Sequence, residues 1–72
     1  MKTVSRMIVK DNDSQKFYLI EIIIVYGVGY FWRYSSESSI YNVRFHQMGK
    51  SISEHICDTY GWTLVGHENI EM

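Results

Sequence analysis

The chain has 72 residues, enough for one small domain that buries only about 60% of the surface its unfolded form exposes. Hydrophobic residues at 46% and charged residues at 21% match the globular average and exclude wholesale disorder. Seven Lys and Arg against eight Asp and Glu leave a net charge of -1, which argues against a strongly basic nucleic-acid binder and against a long acidic mimic of nucleic acid.

Six tyrosines stand against three Phe and two Trp, and a tyrosine is suited to sit half buried and half wet, as at a contact surface. The single Cys57 excludes an intrachain disulfide framework and fits a reducing compartment, so the expected location is the cytoplasm. Met1 to Arg6 is polar and lacks the apolar core and cleavage site of a signal peptide. The longest apolar run, Phe17 to Tyr26, is ten residues with Glu21 inside it, about half of what a membrane helix needs. No membrane association is expected.

Thr3 to Lys10 reads as a first strand, with Val4 and Ile8 on one face, Arg6 between them, and Met7 and Val9 on the other. Asp11-Asn12-Asp13-Ser14 is a turn, because each of these side chains can bond to nearby backbone. Lys16 to Tyr26 is a second strand: Phe17, Leu19, Glu21, Ile23 and Val25 share one face, and Tyr18, Ile20, Ile22, Ile24 and Tyr26 the other. Its β-branched residues favour a strand over a helix, and apolarity on both faces predicts the middle of a sheet.

Gly27-Val28-Gly29 predicts a hairpin turn. Tyr30 to Ser35 is a third strand with Tyr30, Trp32 and Tyr34 on one face and Phe31 and Arg33 on the other. After the polar loop Ser35 to Ser39, Ile40 to Gln47 alternates as a fourth strand, with Tyr41, Val43 and Phe45 inward and Asn42, Arg44 and His46 outward. Ser51-Ile52-Ser53-Glu54 is a capping box that opens a helix of about nine residues. Its apolar stripe is Ile52, Ile56 and Tyr60, and Gly61 stops it in the left-handed conformation. Trp62 to Val65 is a last strand and 66–72 a polar tail. The expected fold is a single α+β domain over 1–72, in the order β-β-β-β-α-β. Its four- to five-stranded, mainly antiparallel sheet carries the short helix on one face.

Metal and cofactor chemistry find little support. His55 and Cys57 are two apart and diverge on a helix, with His46 and His67 elsewhere and no second cysteine to complete a zinc set. Cys57 lies toward the helix C-terminus, where the dipole raises a thiol pKa, and a free cysteine beside Ile56 behaves as a small hydrophobe. Glu54 and Asp58 at i and i+4 could share a proton, but such a pair is most often a solvated helix face. Asp11 to Ser14 lacks the glycine and distal glutamate of a calcium loop, and Gly27-x-Gly29 lacks the third glycine and following helix of a dinucleotide loop. No enzymatic activity and no cofactor are expected.

The stripe Tyr30, Trp32, Tyr34 admits three readings: the core face beneath the helix, a protein-binding surface, or a platform that stacks unpaired bases of RNA or single-stranded DNA. Arg33 points away from those rings and the chain has no basic funnel, so nucleic acid is the weakest of the three. Charge is also uneven. Residues 1–50 carry seven basic against four acidic groups, whereas 51–72 carry Glu54, Asp58, Glu68 and Glu71 with no Lys or Arg. An acidic helix-and-tail face of this kind suits a basic patch on a partner. The expected partner-binding residues are therefore Tyr30, Trp32, Tyr34, Glu54 and Asp58. The second strand needs cover on both faces and the helix can shield one, so a homodimer or a partner on the other face is expected.

The passage Ser51-x-x-Glu54-x-Ile56-x-x-x-Tyr60-Gly61-Trp62-x-Leu64-Val65 resembles the C-terminal unit of small phage and mobile-element accessory proteins. The resemblance implies a compact α+β protein that inhibits a larger host or defence enzyme by stoichiometric binding, as anti-CRISPR proteins do. It carries over no functional residue.

Overall fold

A computed structural model describes residues 1–43 and 49–70. It consists of one five-stranded antiparallel sheet and one helix. In chain order the elements are β1 (Lys2–Asp11), β2 (Phe17–Val25), β3 (Gly29–Tyr34), β4 (Tyr41–Asn42), α1 (Ile52–Tyr60) and β5 (Trp62–Asn69). The sheet order is β4-β3-β2-β1-β5, so the strand that is apolar on both faces is the central one.

Turns follow the local chemistry. Asp11 Oδ1 accepts from the amides of Asp13 at 2.8 Å and Ser14 at 3.2 Å, which closes the β1–β2 hairpin. The β2–β3 turn is fastened by the Val28 amide donating to the Val25 carbonyl, with Gly27 at φ 80° in a conformation that side-chain-bearing residues rarely adopt.

Helix α1 lies across β5 and β1. The Ser51 hydroxyl accepts from the Glu54 amide at 3.1 Å and donates to the Glu54 carboxylate, so cap and carboxylate hold each other through the hydroxyl. Gly61 sits at φ 68° and its amide donates to the Cys57 carbonyl, ending the helix as expected. The buried positions are Ser53, Ile56 and Cys57, so the apolar stripe is turned by about one residue from the expected Ile52, Ile56, Tyr60. Met7, Val9, Ile20, Ile22, Trp32, Ile56, Cys57 and Trp62 form the core between helix and sheet.

Two expectations are corrected, and a third is described only in part. The residues expected as a polar tail continue β5 to Asn69, because Gly66 to Asn69 pair with Ser5 to Ile8 at the sheet edge, where exposed polar side chains cost little. Val4 does not share a face with Ile8: a bulge between Thr3 and Ser5 turns it toward the core. The fourth strand is two residues long among the described residues, and its expected continuation through Arg44, Phe45 and His46 lies outside them. Among the described residues no helix is long and apolar enough to cross a membrane.

Candidate interaction surface

The helix covers the β1–β5 side of its face, and aromatic rings fill the β3–β4 side. Register sets Trp32 between Ile22 on β2 and Tyr41 on β4, with Tyr34 two residues along. Around the Trp32 ring stand Tyr41 at 4.7 Å between centroids, Tyr60 at 5.1 Å, Tyr34 at 5.2 Å and Trp62 at 5.3 Å. Tyr34, Tyr60 and Trp62 meet it edge to face, the arrangement a ring quadrupole favours. Tyr60 stacks on Trp62 at 5.0 Å, and Tyr18 reaches Tyr34 at 5.5 Å. Strands β2 to β5 and the helix thus each contribute to one cluster.

The cluster has a dry centre and a wet rim. Trp32 is 4% exposed, which corrects its expected role as an outward contact residue: the rings of four elements close over it. Tyr41 and Tyr60, by contrast, keep 41% and 44% of their surface. Tyr34 is half-buried. Burial, then the neighbouring Tyr18 and Tyr41, push its phenol above the usual range, so it remains a protonated donor near neutral pH. Tyr30 is exposed and lines a cleft at the start of the helix with Ser51, Ser53, His67 and Asn69.

The acidic pair is partly engaged within the chain. Glu54 belongs to the cap, and Asp58 accepts from Lys50 Nζ while most of its carboxylate stays in solvent. Both lie on the outer side of α1. Cys57 sits in the core; burial, then the Asp58 charge, push its thiol up, which makes it a poor nucleophile. Among the described residues no group of three His, Cys, Asp or Glu side chains comes together to hold a metal.

The opposite face of the sheet holds the feature that sequence reasoning missed. Arg6, Glu21 and Arg33 are register neighbours on β1, β2 and β3. Arg6 Nε donates to Glu21 Oε2 at 3.2 Å and Arg33 Nε donates to Oε1 at 2.7 Å. Burial works to raise the Glu21 carboxyl, but the hydrogen bonds and charges of the two arginines outweigh it and hold the carboxyl below its ordinary value. The signal was a glutamate in the middle of an apolar strand. Its partners come from two other strands, and only register names them.

No protein-family model, curated protein or solved structure matches the chain.

Proposed function

We propose that this chain is a non-enzymatic binding protein, an inhibitor or adaptor of the phage-accessory, anti-CRISPR-like type, which acts in the cytoplasm by docking on a larger host or defence protein. The observation that carries the docking reading is the tyrosine rim: Tyr41 and Tyr60 keep a large part of their surface around an enclosed Trp32. Rings already held by neighbours lose little freedom on binding, and tyrosine is enriched in contact surfaces for that reason. Glu54 and Asp58 on the outer side of the helix add a negative border that favours a basic partner surface. The phage-type assignment rests on the resemblance of 51–65.

Less supports the alternative, a base-stacking module for RNA or single-stranded DNA. The Trp32 ring is enclosed, and Arg6 and Arg33 are bonded to Glu21 on the other face.

Capture of a partner from host lysate, with and without nuclease, tests the reading. Recovery is expected to resist nuclease and to fall at least about thirtyfold for Tyr41→Ser, a hot-spot-sized loss, in a protein that still unfolds cooperatively. Nuclease-sensitive recovery would instead favour the nucleic-acid module, and capture indifferent to Tyr41→Ser would remove this surface from consideration.

A further inference from the structure

We propose that the sheet face opposite the helix is closed by a second copy of this chain, packed about a two-fold axis that runs parallel to the strands. Among the described residues no helix packs on that face, which is buried at Ile23 and Glu21 and open at the end that carries Ile8, Leu19 and Phe17. Ile8 and Leu19, register partners on β1 and β2, keep 43% and 46% of their surface there, and Phe17 keeps 61%.

The charge pattern selects the occupant. Register places Glu68, Arg6, Glu21 and Arg33 in one row across β5, β1, β2 and β3, so the signs alternate from one end to the other. A two-fold axis along the strands reverses strand order across the interface and keeps position along the strands. Glu68 then lies over Arg33 of the second copy, and Arg6 over Glu21 of the second copy. Every charge in the row meets its opposite, and Leu19 meets Ile8 of the second copy. A two-fold axis perpendicular to the strands would instead stack Glu68 on Glu68 and Arg6 on Arg6. The row sums to no net charge, and Lys10, held over the Phe17 ring at its side, adds one positive charge per copy.

The size fits a modest dimer. Four strands about 4.8 Å apart and about seven residues long at about 3.4 Å each give on the order of 450 Å² of flat sheet per copy. The pair covers at most roughly 900 Å², below the range of stable specific interfaces and in the class of weak, transient ones, so the dimer is concentration-dependent. Aligned packing of two twisted sheets at about 30° brings the inner side chains into contact across about 10 Å. The tyrosine rim lies on the other side of the sheet and stays free, so this inference stands or falls separately from the proposed function.

Sedimentation equilibrium over a concentration series tests it. The wild-type chain is expected to be a monomer when dilute and a dimer at hundreds of micromolar. Leu19→Arg and Glu68→Arg are both on exposed positions, and each is expected to weaken association at least about tenfold while circular dichroism stays native. In a dimer mixed from labelled and unlabelled chains, isotope-filtered nuclear Overhauser spectra are expected to show Leu19 methyls of one copy against Ile8 of the other. A wild-type chain that remains monomeric throughout overturns the proposal, and so does a dimer lacking those cross-copy contacts.

Discussion

The indole Nε1–H of Trp32 donates to the hydroxyl of Tyr60 across 3.2 Å, tying the middle of β3 to the last residue of α1. The bond joins two elements that do not pair through their backbones. Trp32→Ala removes the ring that four neighbours pack against and is expected to cost about 3–5 kcal/mol. A chain of this length has roughly 4–11 kcal/mol in all, so the loss removes a large share of its stability and unfolds it at the low end of that range. Tyr60→Phe keeps the packing and removes the acceptor, for an expected loss of about 1 kcal/mol. Urea midpoints of the two variants check both, and a stable Trp32→Ala protein would return this ring to the surface.

Glu21 sets the acid limit of the fold. Its carboxyl is held below the ordinary value of 4.5, so the stabilisation is fully present above that value and is lost as pH falls through the lower folded-state value. Glu21→Gln is expected to flatten that acid limb. At neutral pH it should cost about 1–2 kcal/mol, a modest figure because Arg6 and Arg33 still reach solvent. Stability measured from pH 7 down to pH 2, in dilute protein, gives both readings; identical acid limbs for variant and wild type would remove Glu21 from this role.

The two ends of the helix predict separable costs. Ser51→Ala deletes the hydroxyl that accepts from Glu54 and is expected to cost about 1 kcal/mol. Gly61→Ala meets no atom within 4 Å of the added methyl, so its cost, again about 1 kcal/mol, is purely that of a left-handed alanine at φ 68°. Urea midpoints resolve both, and a Gly61→Ala protein as stable as the parent would contradict the observed cap.

Cys57 should resist alkylation. It is 4% exposed and its thiol is pushed up by burial and then by Asp58, so little thiolate forms at pH 8. Iodoacetamide is expected to modify the native chain at least about tenfold more slowly than the chain in urea. Equal rates would place the thiol at the surface.

The alternation of β2 predicted its central place, because a strand apolar on both sides has no solvated face to offer an edge. The helix limits were equally legible, since Ser51 and Gly61 act through local hydrogen bonds. β5 was not legible beyond Val65. A bulge opposite Ile8 and Val9 pairs Leu64 with Val9 and Gly66 with Ile8, which breaks the two-residue period where the composition also turns polar. The Trp32 stripe stayed between core and surface in the sequence, because its fate depended on where Tyr41, Tyr60 and Trp62 would fall. The Arg6–Glu21–Arg33 row required register across three strands, and neither spacing nor composition carries that information.

The first strand is completed by the last. Lys2–Asp11 lies between β2 and β5, and its pairing with Trp62–Asn69 joins residues some sixty positions apart, such as Ser5 with Asn69. Before the segment from Ile52 onward is in place, the meander of β1 to β3 has one long edge bare and lacks Ile56, Cys57 and Trp62 to cover its apolar side. Contacts of such separation are slow to form, and the nascent sheet is at its most adhesive during that interval. A chain that lacks Trp62–Asn69 therefore has no partner for the outer edge of β1 and no Trp62 in its core. A stall anywhere before Trp62 leaves a chain that has most of its strands and too little of its core to keep them.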